Sequence, residues 1–215
     1  INYLQMGDNV VWQVDEIADY KRFVDPYIKA AQARHHRIVY MRFASHPPIL
    51  ENGQTDKVYK LNANKGFESF STQVHTIIRD EGRDVFYVFD CLSDLLSAWA
   101  TDLMIGNFFV ITCPYLFELN TVAYFAILRS RHSFKTVARI RETTQVLLDV
   151  YNHQGKICVH PLKAWKRYTP TMFLPHILEG DTFVPMLNSA DAASILSFLT
   201  DKNATSSVRN LDYWD

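Results

Sequence analysis

The segment Asp84-Val-Phe-Tyr-Val-Phe-Asp90 constrains this chain more than any other. A run of apolar residues without polar alternation cannot form a strand with one face in water, so both of its faces must be covered. Such a strand belongs in the middle of a parallel sheet flanked by helices. Asp90 closes the run with a carboxylate at the strand's carboxyl end, where open α/β sheets place their ligand crevices.

The rest of the chain supplies neighbours for that strand. Val10-Val-Trp-Gln-Val14 has strand character, and Phe23, Tyr27, Ile28 and Ala31 then fall at helical spacing. A second strand over 37–43 is halted by Ser45-His46-Pro47-Pro48, because tandem prolines remove donors. After a polar loop with Asn52-Gly53 and a short strand over 58–61, Phe67, Phe70, Val74, Ile77 and Ile78 share one helical face, which Gly82 is placed to end. Ser93 is predicted to cap a helix with Leu95, Leu96, Trp99 and Leu103 as its stripe, and Ser133 to cap another carrying Phe134, Val137 and Ile140. Strands at 146–151 and 156–160 flank a turn at Gly155, and 191–199 reads as a last helix. This pattern predicts an α/β fold: a mostly parallel sheet with helices on both faces and a C-terminal antiparallel hairpin edge. Residues 1–200 form one domain in this reading, with 201–215 a linker or tail.

Composition agrees with a globular chain and excludes disorder, since 48% of the 215 residues are hydrophobic and 21% charged. From Leu103 to Leu128 the only charge is Glu118, but Asn107, Pro114 and Asn120 interrupt the run. A buried helix followed by a central strand explains it, and no membrane span is predicted. The glycines at 7, 53, 66, 82, 106, 155 and 180 lie too far apart for GxxxxGK[ST], GxGxxG or GxSxG loops. Cys91, Cys113 and Cys158 have no CxxC spacing and fall in apolar runs, as reduced thiols of a cytoplasmic protein would. The eight histidines include no HExxH, and no metal site is predicted. The sequence opens at Ile1 with no charged-then-apolar leader, which suggests a piece of a longer polypeptide, and Asn203-Ala204-Thr205 is an isolated glycosylation pattern.

The near-neutral total, 22 basic against 23 acidic residues, conceals a segmental imbalance. Residues 129–167 contain Arg129, Arg131, Lys135, Arg139, Arg141, Lys156, Lys163, Lys166 and Arg167 against only Glu142 and Asp149. Arg129, Arg131 and His132 follow a central strand and are placed to line a crevice for a phosphate or carboxylate. Solvation of most of these cations is the competing reading. Likewise Asp90 either faces a ligand or caps the next helix alongside Ser93 and Asp94.

The element order resembles the RecA-like ATPase core, specifically its KaiC-like branch, over roughly residues 7–180. Asn9–Val14 lies where the strand before the phosphate loop would be, and Val85-Phe-Tyr-Val-Phe-Asp90-Cys-Leu-Ser93 resembles a Walker B strand with its aspartate. Thr121–Leu128 resembles the strand that follows, and His160-Pro-Leu-Lys163-Ala-Trp-Lys166-Arg167 the lysine and arginine segment of the late hairpin. Leu178-Glu179-Gly180 resembles the end of the final strand. The resemblance adds Asp90, Lys163, Lys166 and Arg167 to Arg129, Arg131 and His132 as a candidate ligand crevice, and implies ATP and Mg²⁺ as the cofactors of an intact member. Where the family has its glycine-rich loop this chain reads Asp15-Glu-Ile-Ala-Asp-Tyr-Lys21-Arg22, and where it has a catalytic glutamate, Phe43-Ala-Ser-His46-Pro-Pro. Acids at that first position repel a triphosphate, so the phosphate loop is degenerate and a pseudo-ATPase is expected.

A second resemblance lies in the tail. Tyr168-Thr-Pro-Thr-Met-Phe-Leu-Pro-His176, Phe183–Ala190 and Leu211-Asp-Tyr-Trp-Asp215 resemble the N-terminal region of some phosphoenolpyruvate-synthase-like, or pyruvate phosphate dikinase-like, polypeptides. It implies a regulatory, ligand-sensing or assembly module followed by C-terminal catalytic domains in the same chain. An active nucleotide-dependent enzyme using Asp90, Arg129 and Lys163, or nucleic-acid binding through 129–167, are the alternatives; the aromatic residues fall at core periodicities, which speaks against the latter. Self-association between the acidic amino-terminal part and a neighbour's basic segment is also expected.

Overall fold

The computed structural model describes residues 4–200 apart from 52, 154, 181 and 199. The predicted linker at 201–215, with Asn203 and the Leu211–Asp215 end, lies outside the described residues. Four helices, α1 (Ile17–Ala33), α2 (Phe67–Glu81), α3 (Leu103–Glu118) and α4 (Phe134–Thr143), alternate with the strands, and residues 189–198 are also helical. The strands are β1 (Asn9–Val14), β2 (Ile38–Arg42), β3 (Lys57–Lys60), β4 (Phe86–Cys91), β5 (Val122–Leu128), β6 (Val146–His153), β7 (Lys156–Ala164), β8 (His176–Glu179) and β9 (Thr182–Pro185).

They form one sheet in the order β3-β2-β4-β5-β1-β6-β7-β8-β9, parallel as far as β6 and antiparallel beyond it. All six residues of β4 are buried, as its unbroken apolar run requires. One face of the sheet packs on α2, α3 and α4, with Phe89 stacked on Phe125 at 4.4 Å. The other face packs on α1, with Trp12 stacked on Phe23 at 4.1 Å. Alternate residues of β1 feed the two sides: Val11 enters the first cluster, Val10 and Trp12 the second. The hairpin at Gly155, φ 76°, is the antiparallel edge expected from the sequence, but β8 and β9 extend it by two strands. Those strands are four residues each, too short for a periodic signal.

Two helix expectations need correction. Ser93 caps no long helix: residues Leu92–Ser97 form a 3-10 turn, and α3 begins only at Leu103. The Ser93 hydroxyl is engaged elsewhere, accepting the Leu128 N–H at 2.8 Å, while Leu95 and Trp99 still reach the core as the helical spacing suggested. In α4, Ser133 does cap, accepting the Thr136 N–H at 3.3 Å, but Phe134 is 86% exposed and Ile140 is the helix's buried apolar anchor. Phe134 sits at the helix's first position, with its side chain left in solvent.

Candidate functional site at the carboxyl end of the sheet

Parallel strands bring their carboxyl ends to one edge, so Asp15 after β1, Asp90 in β4 and Arg129 after β5 converge there. Asp149 joins them because β6 runs beside β1 with Gln13 opposite Asp149. Arg129 is the centre of this arrangement. Its side chain is only 5% exposed, Nε donates to Asp15 Oδ1 at 2.8 Å and Nη1 to Asp149 Oδ1 at 2.9 Å. Nη2 donates to the Val150 carbonyl at 2.6 Å, and the guanidinium lies 4.0 Å over the Tyr151 ring. Tyr151 in turn donates its hydroxyl to Asp149 Oδ2. Burial works against the guanidinium's charge, but Asp149, Tyr151 and Asp15 outweigh it and hold its pKa above the ordinary value.

Asp90 is fully buried and its carboxylate is equally occupied. It accepts from the Tyr40 hydroxyl, from Arg42 Nη1, and from the backbone N–H groups of Phe43 and Ala44 at 2.8 Å each. Arg42 also donates to the carbonyls of Ala44 and His46. Asp90 therefore fastens the loop after β2 rather than the start of a following helix. Charge-assisted bonds of this kind contribute about 1.5–3 kcal/mol each.

Between these two clusters sit Ser93 and His132. Ser93 Oγ lies 2.6 Å from His132 Nε2, and the same oxygen accepts the Leu128 N–H. His132 is buried, and burial pushes its pKa down to about 4 despite nearby Asp102. Asp102 itself is held below the usual carboxylate range: burial opposes this, but the Ser133 N–H at 2.6 Å prevails.

The other predicted cations do not join this edge as one crevice. Arg131 is exposed. Lys163 lies on β7, which runs antiparallel, and its ammonium donates to the Arg141 and Glu142 carbonyls at 2.6 and 2.9 Å, closing the carboxyl end of α4. Lys166, with φ 54°, lies 4.3 Å over the Trp165 ring. Arg167 pairs with Asp8, just before β1 at the sheet's opposite edge. The antiparallel return of β7 is what carries this segment away from Arg129.

Mg²⁺ with ATP does not fit this edge. Asp15, Glu16 and Asp19 crowd the start of α1, no glycine there frees backbone N–H groups, and both Asp90 and Arg129 are saturated by protein partners. Among the described residues no group of three His, Cys, Asp or Glu is placed to hold a metal ion, and no helix is long and apolar enough to cross a membrane. Cys91, Cys113 and Cys158 are buried free thiols, and burial raises the Cys91 pKa to about 12. No family model and no curated protein matches the chain.

Sequence reasoning missed the partners: Asp15 and Asp149 on Arg129, Tyr40 and Arg42 on Asp90, Ser93 on His132. The signal for Asp15 was present, an acid at the carboxyl end of one apolar strand and Arg129 at the end of another. Only the strand order makes those two strands neighbours.

Two measurements check this account. Arg129→Ala strands two carboxylates and is expected to cost about 3–5 kcal/mol in urea unfolding, with Arg129→Lys recovering only part because it cannot fork to both. The second concerns acid. The unfolded chain protonates His132 near 6.5 and the folded chain only near 4, so between these values the unfolded state holds the extra proton. The stabilisation is full above about pH 6.5 and is lost on acidification toward 4, up to about 3 kcal/mol, and a His132→Asn variant is expected to lack this component.

Proposed function

We propose that this chain is a non-hydrolysing RecA-like module with a regulatory, ligand-sensing or assembly role, within a larger phosphoenolpyruvate-synthase-like protein. The order of the parallel strands supports the RecA-like part, with β1 between β5 and β6 and β4 on the far side of β5. One observation carries the non-hydrolysing part: the anion-binding guanidinium at the carboxyl end of the central strands is bound by the chain's own Asp15 and Asp149. An internal carboxylate pair stands where a phosphate would be received, and displacing it exposes buried charge. The phosphoenolpyruvate-synthase-like setting rests on the sequence of the tail alone.

Calorimetric titration with Mg-ATP, paired with a phosphate-release assay, tests this reading. No turnover is expected, and Asp90→Ala is expected to lower the unfolding midpoint without changing a background rate. Tight Mg-ATP binding together with release abolished by Asp90→Ala overturns it. A thermal-shift panel of ATP, ADP, cyclic nucleotides, pyruvate and phosphoenolpyruvate then finds the ligand sensed, because a ligand that binds only the folded state raises its stability.

A second reading is favoured by one surface feature. Phe134, 86% exposed, stands between the exposed Arg131 and Lys135, an aromatic ring flanked by two cations as in single-strand stacking sites. It predicts retention of labelled single-stranded DNA that weakens steeply with salt and drops about tenfold in Phe134→Ala. No retention at low salt rules this reading out.

A further inference from the structure

At the end of the sheet opposite Arg129, where β4 and β5 begin, an apolar hollow of about 230 Å³ lies beside a cation. The carboxyl end of α1 and residues 4–6 complete its sides. Tyr27, Ala31, Phe86 and Val122 form the inner wall, each at most 9% exposed. The wall is largely aromatic: the His36 ring stacks 4.3 Å from Phe86, and Phe86 lies 5.5 Å from Tyr27. Tyr27 is fixed further by donating its hydroxyl to the Val122 carbonyl at 2.9 Å. Rings held in this way make a preformed wall, and little freedom is lost when a ligand enters.

Arg34 is exposed and lines the same hollow. Its guanidinium has no ion pair and no hydrogen bond among the described residues. The ordinary work of a cation just after a helix is to close the last carbonyls. Backbone groups already do so here: the Ala31 carbonyl accepts the N–H groups of Arg34 and His36, and the Gln32 carbonyl that of His35. The side chain is left to receive an anion from outside, and its fork matches a carboxylate.

Size narrows the occupant. An apolar cavity of about 150 Å³ is enough for benzene. The hollow, at about 230 Å³, therefore takes one ring and a short acidic arm. Aromatic walls favour an aromatic guest, whose ring can pack edge-on or offset against them. We propose that this hollow binds a small aromatic carboxylate, with its ring against Tyr27 and Phe86 and its carboxylate on Arg34. The proposal goes beyond the functional reading above and holds whether or not a nucleotide binds at the other end of the sheet.

The test is a titration of the isotope-labelled 215-residue chain with 3-phenylpropionate, followed by backbone amide shifts. A ligand of about eleven non-hydrogen atoms is expected to bind with a dissociation constant of about 0.1–1 mM. The shifts are expected to centre on Tyr27, Ala31, Phe86 and Val122. 3-Phenylpropanamide, which keeps the shape without the charge, and hexanoate, which keeps the charge without the ring, are each expected to bind at least about fivefold more weakly. Arg34→Gln is expected to reduce phenylpropionate to the level of the amide with an unchanged thermal melt, because the native guanidinium holds no partner. Ala30→Leu, at a half-buried position on the hollow, is expected to fill it and abolish binding of both. No shifts at about 5 mM phenylpropionate, shifts centred elsewhere, equal binding of the amide or of hexanoate, or binding indifferent to either variant overturns the proposal.

Discussion

Arg129 is a charge taken almost wholly out of water at the point where three strands meet. Isolated there, a guanidinium would cost several kcal/mol, so the fold must bring compensating groups to it. Asp15 from the end of β1, Asp149 from β6 and the Val150 carbonyl do so, with Tyr151 beneath the guanidinium. Asp15 comes from one part of the chain, and Asp149, Val150 and Tyr151 from three successive residues of β6. The network therefore ties the end of β5 to its neighbour β1 and, across it, to β6, and fixes the position of the loop into α1. Groups satisfied by one another in this way hold the strands together at that edge.

The basic segment 129–167 divides along the same line. Arg129, Arg139, Lys163 and Arg167 bind Asp15 and Asp149, Asn107, the carboxyl end of α4, and Asp8. Arg131, Lys135, Arg141, Lys156 and Lys166 remain exposed. The local excess of positive charge is thus partly a set of internal fasteners and partly a solvated surface. Asp90 follows the same logic, four donors holding its carboxylate and pinning the loop after β2.

Much of the scaffold was legible before any coordinates. The unbroken run at 85–89 demanded a strand covered on both faces, the apolar spacing of 67–78 demanded a helix, and Gly82 at φ 79° ends it as placed. The misreadings arose where a residue's local role competes with a distant one. Ser93 looks like a cap in sequence, but its hydroxyl serves Leu128 and His132. The uncharged stretch after Leu103 reads as a buried helix, and α3 is buried against the sheet and α4 but leaves Val110, Ile111 and Phe117 exposed.

The sequence by itself determined the alternation of elements, the buried character of the central strands, and the lack of a glycine-rich phosphate cradle, because each follows from local residue type and spacing. Only the tertiary structure decided which charges meet. Asp15 and Arg129 are 114 positions apart, and they become partners because β1 inserts between β5 and β6. Pairing across a parallel sheet depends on strand order, and strand order is a property of the whole packed core rather than of any segment in it.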